Sequence, residues 1–242
     1  MTVEVIPVHG IPEVRPGDDL ALLLLEGLES SSLVLQRSDV VVVTQKAVSK
    51  SEGRVVQEMP VGKRGWIERE TRRVVARRGD LVIAETKHGF VCANAGVDAS
   101  NVDEGFLSLL PENPDATAER LRESIRRALD VDVAVVITDT FGRPWRRGVV
   151  NVAIGCAGLP ALLDLRGTTD ASGRVLEATV VAVADEVAAA SGLVMGKASA
   201  IPMAIVRGLS FDAPPEPAQT LVRSEEEDLF RIGVLDPPDR PT

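Results

Sequence analysis

The chain has 242 residues, of which 45% are hydrophobic and 26% charged, a composition typical of a globular protein rather than a disordered one. Its net charge of −9 and its scarcity of aromatic residues argue against a nucleic-acid-binding surface, which needs clustered cations and stacking rings. No apolar run reaches the ~18–20 residues of a membrane span, and residues 1–14 lack the features of a signal peptide. We therefore expect a cytoplasmic protein with neither nucleic acid nor membrane as a partner.

Four short runs rich in Val and Ile predict strands that are covered on both faces, and amphipathic or capped stretches between them predict helices. The predicted strands are residues 39–44, 80–85, 132–138 and 203–206, and the predicted helices are residues 65–78, 115–130 and 184–191, with a short one starting at Ser224. No internal repeat divides the chain. We expect one mixed α/β (α+β) domain over residues 1–242, with two lobes an open alternative and a Pro-rich tail at 236–242.

Several common catalytic arrangements are missing from the sequence. There is no GxGxxG or GxSxG motif, and residues 192–198 are one residue too short for a phosphate loop. His9 and His88 have no partners at zinc-ligand spacing. Cys92 and Cys156 are far apart, and we expect both to be reduced, buried core residues rather than nucleophiles.

The strongest local feature is the segment 138–147, in which an apolar strand runs into Asp139 and Thr140 and then into a loop with three arginines. Ligands in α/β sheets favour the carboxyl ends of strands, and adjacent carboxylate and hydroxyl groups suit a hard divalent cation. Arg143, Arg146 and Arg147 are candidates for gripping an anionic substrate. The same pattern is also typical of a strand end closed by an Asx turn with surface arginines.

Two further loops carry groups that suit a nucleotide and its metal. In the segment 95–101, Asp98 could be a second metal ligand and Asn101 a hydrogen-bonding partner of a nucleotide or sugar. In the segment 44–53, two lysines and several hydroxyls follow an apolar strand, which suits polyphosphate contacts. Each segment could equally be an ordinary turn or a solvated loop.

Taken in order along the chain, these segments resemble the coenzyme F-420-0:L-glutamate ligase family, also called coenzyme F-420:gamma-glutamyl ligase. The resemblance begins at IPVHGIPEVRPGDDL and continues through DVVVVTQKAVSKSEGR, AGVDASNV, VVITDTFGRPWRRG and VAVADEVAAASGLVMGKASAIPMAIVRG. The chain is similar in particular to the actinobacterial branch of the family, where this module can be fused to, or associated with, a flavin-binding nitroreductase-like domain.

The resemblance implies GTP-dependent addition of one or more L-glutamates, gamma-linked after the first, to coenzyme F-420-0, a phospholactyl deazaflavin, or its dehydro form. It implies an intertwined homodimer with a fold particular to the family, two Mg²⁺ or Mn²⁺ ions per site, and K⁺. Asp98 and Asp139 match metal-binding aspartates, and Thr140 matches a ligand of the second metal. The matching nucleotide contacts are Ile11, Pro12, Glu13, Val14, Gln45, Lys50, Asn101 and the segment 196–203, including Gly196 and Lys197.

These residue types suit a reaction through an acyl phosphate. Transfer of the γ-phosphoryl group turns a carboxylate into a better electrophile, and metals would neutralise the phosphoryl oxygens. No protein nucleophile is needed. Two alternatives use the same loops: a metal-dependent phosphotransferase or phosphatase, and a GTP-binding module without chemistry.

Overall fold

A computed structural model of the chain describes residues 2–197, 199–228 and 230. Five helices and twelve strands alternate along this part of the chain. The helices are α1 (Leu20–Ser30), α2 (Gln45–Ser51), α3 (Gly62–Glu70), α4 (Pro114–Leu129) and α5 (Val183–Met195). The strands are β1 (Glu4–Pro7), β2 (Val40–Thr44), β3 (Val55–Gln57), β4 (Thr71–Arg78), β5 (Leu81–Thr86), β6 (Val91–Ala93), β7 (Phe106–Ser108), β8 (Ala134–Arg143), β9 (Arg146–Ala157), β10 (Leu163–Asp164), β11 (Val180–Val181) and β12 (Met203–Arg207).

The central sheet has five strands in the order β1-β12-β2-β8-β9. Strands β2 and β8 are parallel, and their neighbours pair antiparallel. Three of the predicted strands, at 39–44, 132–138 and 203–206, are confirmed as β2, β8 and β12. The loop expected after Thr140 is wrong, because β8 continues to Arg143 and pairs with β9 in a hairpin. Residues 40–43 of β2 are completely buried, which fits a strand without polar alternation because both faces are covered.

Two apolar clusters cover the two faces of this sheet. Residues of α1 and α4 pack on the face that carries Val135 and Ile137. Residues of α5 pack on the face that carries Ala134 and Val136. Because side chains alternate along β8, the residues after Ile137 point in turn to the α5 face and to the face covered by α1 and α4. The mixed α/β prediction is confirmed.

A smaller lobe is built around the three-stranded antiparallel sheet β4-β5-β6, with the two-stranded sheet β3-β7 beside it. The predicted strand at 80–85 is confirmed as β5, but it lies in this lobe and not in the central sheet. Its own apolar cluster includes Ile67 of α3, Ala84 of β5 and Leu107 of β7. The loop that carries Asp98 extends from this lobe to the start of α2.

The predicted helix at 65–78 is wrong in its second half. Helix α3 ends at Glu70, and Thr71–Arg78 forms β4, which pairs with β5 in an antiparallel hairpin. The first residues of β4 alternate between half-buried and exposed, which is a strand period. Cross-strand pairing with β5 thus overrides the helical propensity of the arginine-rich sequence.

Helix α4 confirms the prediction at 115–130: Asn113 accepts the first-turn hydrogen bond from Ala116 N at 3.0 Å, and Pro114 begins the helix. Helix α5 begins as predicted but ends at Met195, beyond the expected end at Gly192. A Cβ at Gly192 would lie 3.1 Å from Asn151 Nδ2. This glycine lets Asn151 approach the helix, and it does not end it.

The segment around Ser224 has the hydrogen bonds of the predicted capping box, since Ser224 and Glu227 bond to each other's backbone N–H. Residues 225–227 form a turn, and most of the helix predicted beyond it lies outside the described residues. The Pro-rich tail at 236–242 also lies outside them. Within the described residues, no helix is both long enough and apolar enough to cross a membrane.

Candidate functional site

The parallel pairing of β2 and β8 ends at Thr44 and Thr138, where β2 stops and β8 continues. Helix α2 starts directly after β2 with Gln45 and Lys46, while Asp139 and Thr140 continue β8. Sequence-distant polar groups are thereby brought to the carboxyl ends of adjacent strands, which is where ligands of α/β sheets bind.

Asp98 reaches this edge from the smaller lobe. Its carboxylate pairs with Lys46 Nζ at 2.6 Å, which ties the lobe to the start of α2. The backbone N–H and the hydroxyl of Ser100 also donate to Asp98, at 3.0 and 2.6 Å. The ordinary Asx turn considered as an alternative is therefore present, and the same carboxylate also contacts a lysine from another element.

Asp139 lies close enough to this ion pair to interact with both of its members. Burial raises the pKa of Asp139 to about 6, although a hydrogen bond from the Thr140 backbone and the charges of Lys197 and Lys46 act against it. The charge of Asp98 raises the same pKa further. The structure thus brings Asp98 and Asp139, 41 positions apart in the sequence, into one electrostatic cluster.

The pKa values of the two aspartates are shifted in opposite directions. Burial alone would raise the pKa of Asp98, but hydrogen bonds from Lys46 and Ser100 outweigh it, so the pKa of Asp98 is lowered. Paired carboxylates whose environments push their pKa values apart are typical of functional sites.

Thr140 lies on the opposite face of β8 from Asp139, because neighbouring strand residues point to opposite faces. Its hydroxyl donates to Asn151 Oδ1 at 2.7 Å and also contacts Lys197 Nζ. Lys197 follows the end of α5, so the face of the sheet that α5 covers also contributes a side chain to this site. The pKa of Lys197 is lowered by burial, and the charges of Asp139 and Asp98 oppose this shift.

Helix α2 connects this cluster to the predicted nucleotide turn. Lys46 and Lys50 are four residues apart and therefore share one face of the helix. Lys50 forms an ion pair with Glu13 in the turn at 11–14. The structure therefore places Glu13, Lys50, Lys46 and Asp98 along one continuous path.

The other predicted nucleotide residues have different environments. Pro12 and Asn101 are exposed, Ile11 is half-buried and Val14 is buried. Gln45 is buried, and its amide oxygen accepts a hydrogen bond from Ser49 at 2.7 Å. Gly196 ends α5 with a positive φ of 59°, immediately before Lys197. The hydrogen bond from Ser49 holds the Gln45 side chain against helix α2.

The three arginines of the 138–147 segment lie beyond the cluster. Arg143 donates to the Arg147 carbonyl at 2.9 Å across the tip of the β8–β9 hairpin. At about 3.3 Å per residue, Arg143 is roughly 13 Å along the strand from Asp139. The guanidinium of Arg143 therefore closes the hairpin, and the predicted grip on substrate remains a prediction.

Two members of the cluster were not singled out from the sequence. Lys46 was visible only as one of two lysines in its loop, and its contact with Asp98 spans 52 positions. Asn151 gave no signal, because its role follows from the register in which it pairs with Thr140. Only the tertiary structure shows either contact.

The cysteine prediction is confirmed, since Cys92 and Cys156 are both buried and free. Burial raises the pKa of each thiol to about 12, and the nearby charge of Asp139 adds to the shift at Cys92. Neither cysteine is an activated nucleophile.

The cluster can hold a divalent cation only when a bound substrate supplies further oxygen atoms to it. Among the residues that the structure describes, no group of three or more His, Cys, Asp or Glu side chains surrounds a common point. Asp98 and Asp139 offer two carboxylates, and Mg²⁺ is usually held by one or two carboxylates together with substrate phosphates. The carboxylate of Asp139 is unfavourable in its buried position, and a cation would stabilise it.

Fold and site together define a mixed α/β protein with an acidic pair and three lysines at the carboxyl ends of parallel strands, an arrangement suited to a polyphosphate and its metal. Residues 10–208 match the family described as F420-0:Gamma-glutamyl ligase. The chain belongs to this family.

Several curated relatives align with this chain over nearly their whole lengths. The chain is 39% identical to the coenzyme F420:L-glutamate ligase of Methanothermobacter thermautotrophicus, with 96% of this chain and 100% of the relative aligned. It is 42% identical to the protein of that name from Methanopyrus kandleri, over 95% and 98% of the two chains. The one from Archaeoglobus fulgidus is 41% identical over 96% and 97%.

Proposed function

We propose that this chain is a ligase that adds L-glutamate to coenzyme F-420-0, or to its dehydro form, at the expense of GTP. The family membership and the names of the relatives support the ligase activity with glutamate. The observation that carries the site is that Asp98 and Asp139, from two lobes, share the neighbourhood of Lys46 at the end of parallel strands.

In the proposed reaction, an oxygen of the acceptor carboxylate attacks the γ-phosphorus of GTP. The bond from this phosphorus to the bridging oxygen breaks, and GDP leaves with the electron pair. The amine of glutamate then attacks the acyl carbon of the acyl phosphate, inorganic phosphate leaves, and the nitrogen releases a proton. An amide and one molecule each of GDP and phosphate result.

The side chains of this cluster suit the charges of the reactants in these steps. Lys46, Lys50 and Lys197 would offset the negative charge of the β- and γ-phosphates and hold the nucleotide in line. Asp98 and Asp139 would hold Mg²⁺ or Mn²⁺, with the hydroxyl of Thr140 near a second ion. When bound, these cations neutralise the phosphoryl oxygens and fix their orientation. K⁺, the homodimer and a nitroreductase-like partner domain remain predictions from the resemblance.

The decisive experiment is mass spectrometry of the deazaflavin after incubation with GTP, Mg²⁺ and L-glutamate. Mass gains of whole glutamate units, with GDP and phosphate formed only when all components are present, support the proposal. Release of phosphate without glutamate would instead identify a phosphatase or phosphotransferase. GTP binding without any product would identify a nucleotide-binding module.

A further inference from the structure

A cavity of about 910 Å³ opens beside the strand end that carries Asp139. It lies where β5, β6, the β8–β9 hairpin and the segment after residue 218 meet. Its volume falls in the range of roughly 300–1,000 Å³ that is usual for small-molecule sites. None of the residues predicted to contact the nucleotide, at positions 11–14, 45, 50, 101, 196 and 197, lines this cavity.

The cavity is adjacent to the acidic cluster. Asp139 and Phe141 are two residues apart on β8, so their side chains share one face and lie about 7 Å apart along the strand. Phe141 lines the cavity, and so does Val152, which pairs directly with Asp139 across the hairpin. Strand β8 keeps a regular register from Thr138 to Gly142, so no bulge disturbs this alternation.

Part of the cavity lining is aromatic and apolar. Phe141 contacts Phe90 edge to face, with ring centroids 6.4 Å apart. The His88 ring stacks on Phe90, with ring centroids 5.6 Å apart, and its Nε2 lies 3.1 Å from the Glu112 carbonyl. The rings therefore form an ordered row, and Leu221 and Val222 face it from the C-terminal segment.

The lining of the cavity also carries charged side chains of both signs. It includes four cationic and four acidic side chains: Arg72, Arg73, Lys87, Arg223, Glu85, Asp185, Glu225 and Asp228. Glu85 already pairs with Arg72 and Arg73, at 3.1 and 2.9 Å. A lining that combines packed aromatic rings with charged side chains is suited to a flat heteroaromatic ring whose edge carries polar groups.

We infer that this cavity holds the heteroaromatic ring of the acceptor substrate, with Phe141 as its principal contact. The inference rests on the proposed function, because the acceptor is the deazaflavin substrate named there. With the ring over Phe141, the acceptor's phospholactyl chain runs along β8 towards Asp139, where its carboxylate meets the γ-phosphate.

The guanine base is the competing aromatic occupant. The nucleotide path described above runs from Asp98 along helix α2 to Glu13, and none of its residues lines the cavity. The acceptor and the nucleotide therefore have separate binding regions that both adjoin Asp139, which lets their reacting groups meet there.

The test measures binding of two probes to the full chain: phospholactyl deazaflavin by fluorescence titration, and Mg²⁺–GDP by calorimetry. Phe141→Leu removes the ring contact, and Leu221→Arg places a long charged side chain in the cavity from a surface segment. Phe106→Leu, in β7 and outside the cavity, is the matched control. We expect the Kd of the deazaflavin to rise at least about fivefold in Phe141→Leu, because a stacking ring is lost. Leu221→Arg should raise it at least as much, because the arginine occupies the cavity. The control should change neither affinity.

Each other outcome has a distinct meaning. If both cavity variants fold and bind the deazaflavin as the wild type does, the ring lies elsewhere and the inference is wrong. If they lose GDP instead, the cavity holds guanine, which also overturns it. If the wild type binds GDP but no deazaflavin, the proposed function itself fails, and the cavity assignment fails with it.

Discussion

The end of β8 and the loop that carries Asp98 contribute the same residue type to the site in opposite ways. Asp139 belongs to a strand of the central sheet, where burial raises its pKa to about 6. Asp98 follows a short helical turn in the smaller lobe, its side chain is 44% exposed, and hydrogen bonds keep its pKa low despite partial burial.

This difference indicates that Asp139 and Asp98 have different roles in the site. The central sheet provides a rigid position whose charge is costly until a cation binds, whereas the loop provides a carboxylate that is already paired with Lys46. Asp139 should therefore respond most to the arrival of metal and nucleotide, and Asp98 should determine how the smaller lobe is held against α2. The mutations below separate the two roles.

The largest expected effect is that of Asp139→Asn on activity. Loss of a metal ligand should lower the rate of glutamate addition by at least about a hundredfold. Mass spectrometry of the product under saturating GTP measures it. Activity close to that of the wild type would remove Asp139 from the site.

The same variant should be more stable than the wild type at pH 7. The pKa of Asp139 is about 6 in the folded chain against an ordinary value of 3.8, so the free energy of unfolding falls as the pH rises between these values. The amide does not ionise, and we expect Asp139→Asn to stabilise by about 1–3 kcal/mol in the absence of metal. Urea unfolding at several pH values tests this, and an equal loss of stability at all of them would contradict it.

Asp98→Asn should have the opposite effect on stability and a similar effect on activity. The lowered pKa of Asp98 contributes stability above the pKa of the unfolded chain, and this contribution disappears with the charge. The pair with Lys46 is partly exposed, so we expect a loss below about 1 kcal/mol. If Asp98→Asn stabilised the chain as Asp139→Asn should, the contrast between the two positions would not hold.

Lys50→Ala should act on the nucleotide more than on the fold. Lys50 contacts Glu13 at the surface, and removing its charge should raise the KM for GTP by about tenfold with kcat within about twofold. Lys63→Ala, in α3, is the control for loss of a lysine. An unchanged KM in Lys50→Ala would assign Lys50 to the surface only.

The smallest expected effect concerns the thiols. With pKa values of about 12 for Cys92 and Cys156, only about one thiol in ten thousand is ionised at pH 8. Intact-mass measurements should therefore show no alkylation of the native chain by iodoacetamide within an hour. Rapid modification of Cys92 would show that the region beside Asp139 opens to solvent.

The sequence by itself determined the strands of the central sheet, because runs such as VVVV at 40–43 have no polar face and can only be buried on both sides. It also marked Asp98, Asp139 and Lys50, since these residues lie in short segments with the right order along the chain. The tertiary structure decided what local pattern could not. It paired residues 71–78 with β5, although their composition favours a helix. It brought Lys46 to Asp98, placed Asn151 beside Thr140, and opened the cavity beside Phe141. Each of these depends on contacts between residues distant in the sequence, and such contacts form only when the lobes and strands are packed together.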